Sequence, residues 1–216
     1  MNEEWRAILY PFGFIAQGLF GLRFLVQWIA SERKKRSVTP FLFWQLSLVG
    51  NLVLLFHSLI QLYFPMSLVQ AINSIMSWRN MNLLGPKSRQ VRFSTVLTTL
   101  FFGASLIVGF FLLQSDAISW LASPHSAHIS WGIHLLGIIG ILSFAVRFWV
   151  QWWQAESNKE GHLTESFWWI SLFGAYVSGI YFFVVNDWVN FIGPLFGLVP
   201  YTRNLYFIRK RAKVTR

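Results

Sequence analysis

The chain contains no cysteine. That excludes disulfides, thiolate metal sites and a cysteine nucleophile, and it leaves the redox compartment unread. Charge is scarce as well: 12% of the 216 residues are Asp, Glu, Lys or Arg, and only 8 of these are acidic. No paired-carboxylate site, Ser-His-Asp set or phosphate loop in a suitable context can be read. His125 and His128 are spaced to share a helix face but stand in a loop without nearby carboxylate ligands, so neither a metal nor a cofactor is expected. A leader is not evident either. Met1-Asn2-Glu3-Glu4 is acidic where a signal peptide is basic, and no small-residue cleavage site follows the first apolar run, which is therefore expected to stay as a membrane helix.

What the chain has instead is apolar surface. It is 55% hydrophobic and 19% aromatic, with a mean hydropathy of +0.48. These values point to an all-α polytopic membrane protein. Seven apolar segments are long enough to cross about 30 Å of hydrocarbon. They run near 8–30, 41–62, 66–85, 93–113, 131–153, 166–186 and 188–208. The formal charge of +10 raises nucleic acid as a partner. Basic residues clustered in loops between apolar runs, however, face the cytoplasm and its anionic lipid, so no nucleic acid is expected.

The loops define an orientation. Ser31-Glu32-Arg33-Lys34-Lys35-Arg36-Ser37 follows the first segment, and Pro40 closes it, because proline disfavours helix at Thr39 and suits the start of the second helix. The turn at Phe64-Pro65-Met66 carries no charge, whereas the third segment ends at Arg79 before Lys87, Arg89 and Arg92. The uncharged fourth segment leads to a loop with Asp116 and no Lys or Arg. Glu156, Lys159 and Glu160 fall in the next loop, Asn186-Asp187 in the one after, and Arg209-Lys210-Arg211 and Lys213 at the end. Arg6 alone lies on the other side. The pattern predicts the N-terminus outside and the C-terminus in the cytoplasm.

An internal repeat organises the whole. Shifting the chain by 124 residues lays Arg23-Phe24-Leu25-Val26-Gln27-Trp28 on Arg147-Phe148-Trp149-Val150-Gln151-Trp152 without a gap. The same shift matches Gly13 with Gly137, Glu32 with Glu156, Phe43-Trp44 with Phe167-Trp168, Ser47 with Ser171, Gly50 with Gly174 and Arg79-Asn80 with Arg203-Asn204. One copy is three helices, an odd number, so two copies joined directly would be inverted. A linker helix restores the orientation. The expected arrangement is a three-helix repeat over 8–85, a linker at 93–113, a second repeat over 131–208 and a basic cytoplasmic tail at 209–216, as a 3+1+3 bundle of parallel repeats.

The architecture is similar to that of the SWEET and PQ-loop sugar transporters. The residues resemble another family more closely. Gln17-x2-Phe20-x2-Arg23-Phe24-x2-Gln27-Trp28-x2-Ser31-Glu32, Ser37-Val38-x-Pro40-x2-Phe43-Trp44-x2-Ser47-x2-Gly50 and Trp78-Arg79-Asn80-x2-Leu83 resemble the N-terminal membrane domain associated with lipid-A-disaccharide synthase. The resemblance covers about residues 13–84 and, more loosely, 137–207. In the second copy Thr164 stands for Pro40, Ala155 for Ser31, Ile141 for Gln17, Thr202 for Trp78 and Gly161-His162 for Ser37-Val38. The resemblance implies the bacterial inner membrane and a place in lipid A or other lipid-linked saccharide metabolism, where the domain occurs fused to the synthase or as a separate chain. These 216 residues show no nucleotide-sugar-binding α/β domain, so catalysis of disaccharide formation by this chain itself is not expected.

Arginine and glutamine four residues apart share a helix face, and inside an apolar segment a charge is costly. Arg23 lies about 10 Å from the cytoplasmic end of its segment at 1.5 Å per residue. If the repeats face each other, Arg23, Arg79, Arg147 and Arg203 converge, and guanidinium groups in low dielectric suit phosphate. Gln27, Asn80, Gln151 and Asn204 add neutral donors for sugar or phosphate oxygens. The alternative is that these arginines snorkel to water or pair with Glu32 and Glu156. Trp44 and Trp168 read as interface anchors or as stacking surfaces for a sugar ring. Gly50, Gly174, Ser47 and Ser171 read as close helix packing. Asn51, His57 and Gln61 step along one face and suggest either a polar path or interhelical hydrogen bonds.

Two functions follow from different classes. In one, the chain binds an anionic, phosphorylated glycolipid or a polyprenyl-phosphate-linked sugar, with or without translocating it. In the other it anchors, or presents substrate to, a membrane-associated glycosyltransferase such as lipid-A-disaccharide synthase.

Overall fold

A computed structural model of the chain describes residues 3–35, 37–114, 129–158 and 163–214. Asp116, His125, His128, Lys159, Glu160, Gly161 and His162 lie outside the described residues, as do the side chains of Ala155, Glu156, Arg211 and Lys213. The elements are α1 (Glu3–Leu9), α2 (Gly13–Lys34), α3 (Phe41–Ile60), α4 (Phe64–Leu84), α5 (Phe93–Leu112), α6 (Trp131–Asn158), α7 (Glu165–Val184) and α8 (Trp188–Val214), with no strand among the described residues. Among the described residues, five stretches are long and apolar enough to cross a membrane: Glu4–Lys34, Phe41–Ile60, Phe93–Leu112, Trp131–Gln154 and Glu165–Val184. The segments at α4 and α8 are the more polar ones. Their Ser67, Gln70, Asn73, Ser77, Arg79, Asn80, Asn190 and Asn204 all turn inward and are buried. The surface is correspondingly apolar, with Phe101, Phe102 and Leu106 of α5 more than 60% exposed, the distribution of a helical bundle in an apolar solvent.

The helix ends show why the chain turns where it does. Pro40 and Thr164 hold extended backbone ahead of α3 and α7. After α3, Leu62 takes a left-handed conformation (φ 49°), its N–H donating to Leu59 O at 3.1 Å while Tyr63 N–H reaches Ser58 O at 2.9 Å. After α7 the matched Asn186 does the same (φ 56°), donating to Phe183 O at 3.2 Å, and Asp187 N–H reaches Phe182 O at 2.9 Å. Both are Schellman turns, which satisfy the last carbonyls of a helix. Asp187 then caps α8, accepting from Asn190 N–H at 3.2 Å and from Tyr10 Oη–H at 3.1 Å.

Helix α3 packs between α2 and α4, and α7 between α6 and α8; α8 returns to α2, α4 meets α6, and α5 lies along α4. Toward the basic loops the core is aromatic: Phe24, Phe43, Trp44, Phe148, Phe167, Trp168 and Tyr201 belong to one cluster. Trp44 and Trp168 are fully buried. Each meets its preceding phenylalanine ring at 5.0 Å, and Trp44 reaches Phe148 across the halves at 6.2 Å. This corrects the expectation of interface anchoring. An indole beside two-helix contacts on every side buries more apolar area than one at a membrane surface, and here the pairing of the halves supplies those contacts.

Two amide pairs join the halves beside this layer. Gln27 Nε2–H donates to Asn204 Oδ1 at 3.0 Å, and Asn204 Nδ2–H returns to Gln27 Oε1 at 3.1 Å. Asn80 Nδ2–H donates to Gln151 Oε1 at 3.0 Å, and Gln151 Nε2–H returns to Asn80 Oδ1 at 2.7 Å. Under the 124-residue shift these are the same pair with its partners exchanged. Close packing at glycine repeats too. A Cβ on Gly13 would meet the His57 ring at 2.9 Å, and one on Gly50 the Phe20 ring at 2.6 Å; at the matched Gly137 and Gly174 the neighbours are Tyr181 and Ser143.

Truncating one amide leaves its buried partner unpaired. Asn80→Ala is expected to cost about 1–3 kcal/mol in detergent unfolding. In a double-mutant cycle with Gln151→Ala the coupling is expected at about 0.6 kcal/mol or more; independent, additive costs would remove the pairing as a stabilising feature. Gly137→Ala is expected to lower the melting temperature, by an overpacking cost of about 1–3 kcal/mol. Gly18→Ala, where a Cβ meets nothing within 4 Å, serves as the near-neutral control.

Candidate functional site

Arg23 and Arg147 sit deep in the bundle. Helix α2 continues to Lys34, so Arg23 is 11 residues, about 16 Å, from its end rather than about 10 Å. Each arginine is 4% exposed, which rules out snorkelling to water. Three phenylalanine rings surround each guanidinium: Phe20, Phe24 and Phe43 lie 4.4, 4.8 and 5.5 Å from Arg23, and the matched Phe144, Phe148 and Phe167 lie 4.5, 4.8 and 5.5 Å from Arg147, which also has the Tyr201 ring at 5.8 Å. A desolvated cation over an aromatic face gains about 2 kcal/mol or more, which offsets part of the burial cost.

The hydrogen bonds of the two arginines differ. Arg23 Nη1–H donates to Ser47 Oγ at 3.1 Å. Arg147 Nη1–H donates to Tyr201 Oη at 2.8 Å, and Tyr201 stands where the first half has Ser77. Ser77 instead accepts from Asn51 Nδ2–H at 3.2 Å. The Nε of both arginines is buried without a hydrogen-bond partner.

Both guanidinium groups line one central cavity of about 70 Å³. No Asp or Glu is among its lining residues. The cavity walls hold further polar groups that sequence reading did not select: Gln70 and Asn73 on α4, Asn190 on α8, and Gln17 and Asn51 on α2 and α3, which were noted only in other roles. The available signal was the polar stripe Gln70, Asn73, Ser74, Ser77 and Asn80, at helical spacing within an otherwise apolar segment.

The remaining expected site residues lie elsewhere. Arg79 is buried and directs Nη1–H to Asn82 Oδ1 at 2.9 Å and to Val91 O at 3.0 Å. Arg203 reaches Glu32 Oε1 through Nε at 2.6 Å and is partly exposed. Neither lines the cavity, so the four arginines do not form one ring. Their short distance to loop carbonyls and to a carboxylate at the basic end decides their position. Gln27, Asn80, Gln151 and Asn204 satisfy one another in the two amide pairs. The notion of a path along Asn51, His57 and Gln61 also gives way. Asn51 faces the cavity, His57 packs on the Tyr10 ring at 5.5 Å, and Gln61 Nε2–H donates to Arg6 O at 2.8 Å. Among the described residues no group of His, Cys, Asp and Glu could hold a metal.

Comparison with known proteins agrees with the residue resemblance. The family model described as Lipid A Biosynthesis N-terminal domain matches residues 12–82 and again 136–206. The lipid-A-disaccharide synthase of Chlamydia felis (strain Fe/C-56) is 34% identical over 217 residues, covering 96% of this chain and 34% of that protein. Those of Chlamydia pneumoniae and Chlamydia trachomatis serovar D are each 33% identical, over 96% and 94% of this chain and 35% of their own length. The chain therefore spans about a third of the curated relatives it matches. No solved structure matches it, so the architectural similarity to sugar transporters gains no support there. With the same domain model fitted twice at the spacing of the internal repeat, the chain belongs to the Lipid A Biosynthesis N-terminal domain family.

Proposed function

We propose that the chain is a seven-span protein of the bacterial inner membrane, N-terminus outside and C-terminus cytoplasmic, in which two parallel three-helix repeats and a linker enclose a binding site for the anionic group of a lipid-linked saccharide of the lipid A pathway. The observation that carries this reading is the central cavity itself: two buried guanidinium groups, each with an unpartnered Nε, and no carboxylate among the lining residues. A buried cation without a counter-ion is held at a cost of several kcal/mol. A phosphate that accepts from both arginines removes that cost, and bidentate geometry makes arginine the fitting residue. Membership of the family supports the lipid A pathway as the source of the ligand.

The orientation rests on the loops. Lys35 and Arg203 meet Glu32, and Arg209 meets Glu165, at the same end of the bundle, the end that an excess of Lys and Arg assigns to the cytoplasm. Presentation of a substrate to a glycosyltransferase is the second reading. It is favoured by the relatives, which carry the name lipid-A-disaccharide synthase and are about three times as long as this chain. Both readings require the same anion site; translocation additionally requires the amide pairs beside the aromatic layer to part.

Native mass spectrometry of the purified protein provides the test. A phosphorylated glycolipid or polyprenyl phosphate is expected to be retained by the wild type and lost, by about tenfold or more in occupancy, from Arg23→Gln/Arg147→Gln. Arg23→Lys keeps the charge but not the fork and is expected to fall between them. Retention of the same lipid by the double Gln variant would overturn the proposal.

A further inference from the structure

The half of the cavity away from the arginines is lined by amides. Gln17 Oε1, Gln70 Oε1, Asn73 Oδ1 and Asn190 Oδ1 are buried and accept no hydrogen bond from the protein. Their residues are 3, 6, 4 and 4% exposed and all line the cavity that holds Arg23 and Arg147. Gln17 precedes Arg23 by six residues on α2, about 9 Å at the helical rise. Asn190 is in the first turn of α8, and Gln70 is in the second turn of α4. The amides therefore extend from the arginines toward the end of the bundle opposite the basic loops.

Symmetry separates the two halves of the site. The arginines and their six phenylalanine rings obey the 124-residue repeat. The four amides break it: Gln17 is matched by Ile141, Gln70 by Pro194, Asn73 by Gly197 and Asn190 by Met66. A phosphate presents equivalent oxygens and suits two equivalent cations. Unpartnered carboxamide oxygens on one side call for donors, which a phosphodiester lacks and a sugar supplies.

We propose that Gln17, Gln70, Asn73 and Asn190 bind the hydroxyl or amino groups of a saccharide whose phosphate is held by Arg23 and Arg147. The ligand class is a sugar phosphate, not a bare phosphodiester, and its sugar points away from the basic loops. This rests on the anion site proposed above.

The experiment is calorimetric titration of the full chain in detergent with glucose 1-phosphate, butyl phosphate and inorganic phosphate. Glucose 1-phosphate is expected to bind at least about tenfold more tightly than butyl phosphate, because a site built for hydroxyls rejects an analogue without them. Gln70→Leu/Asn73→Leu is expected to bring the two within about twofold while butyl phosphate keeps its wild-type affinity. Its melting temperature should equal or exceed that of the wild type, since amides whose oxygens are buried without a partner are replaced by apolar groups, and that separates lost recognition from unfolding. Equal binding of all three ligands by the wild type, or equal weakening of both esters in the Leu variant, overturns the sugar half and leaves the anion site standing. Binding of none of the three, with Arg23→Gln indistinguishable from wild type, removes both.

Discussion

The burial of two like charges in one cavity is the constraint on which the rest of this structure depends. A guanidinium removed from water must be surrounded by groups that replace hydration, and protein carboxylates are absent from these walls. Three phenylalanine rings around each arginine, one hydroxyl per guanidinium and a shared cavity are what the fold supplies in their place. The rings come from two adjacent helices, so α2 with α3 and α6 with α7 must pack closely. Gly50 and Gly174 permit this: at Gly50 any side chain would displace Phe20, a ring of the Arg23 set. Packing at these glycines is thus tied to electrostatics in the cavity.

The halves are held together by groups that satisfy each other completely. For a bundle with so apolar an outer surface, proposed to lie in lipid, there is little hydrophobic gain in pressing the halves together, and reciprocal amide pairs and aromatic contacts carry more of the specificity. Gln27 with Asn204 and Asn80 with Gln151 place a fully paired polar layer next to an incompletely paired one around the arginines. The first layer is closed to further partners, and the second is the one proposed to take a ligand. The distinction rests on hydrogen-bond accounting, since both layers are equally buried.

Much of the fold was legible in the sequence because its signals are long and redundant. Seven long helical segments, five of them apolar enough to span among the described residues, the gap-free shift of 124 residues and the turn at Asn186-Asp187 needed no side-chain geometry. The Arg23 and Arg147 pairing was legible for the same reason, since a costly residue appears twice in one context. Arg79 and Arg203 were grouped with them on proximity to one end of the bundle, but a helical register of a few degrees decides whether a side chain enters a cavity or reaches a loop. Arg79 found the Val91 carbonyl and Arg203 found Glu32. Gln70 and Asn73 carry no signal from the repeat, because their matched positions are Pro194 and Gly197. Trp44 and Trp168 were misplaced because depth in a bundle cannot be read from position along a helix alone.

The two third helices show how a repeat acquires inequality without losing its frame. Helix α4 has an uninterrupted backbone and carries Gln70, Asn73 and Ser77 into the interior. Helix α8 has Pro194 and Pro200 within it, and each proline removes an intrahelical hydrogen bond to the carbonyl four residues earlier. One of those carbonyls belongs to Asn190, whose side chain is already turned to Asp187 through Nδ2–H at 2.9 Å. Where α4 has side-chain amides, α8 has freed backbone and the glycines Gly193 and Gly197. A Cβ on Gly193 would strike Gln17, so the missing side chain on α8 makes room for an amide from α2. The cavity is therefore built by subtraction on one side and addition on the other, which is why it follows the repeat at its arginines and at Phe20 and Phe144 and departs from it at its amides.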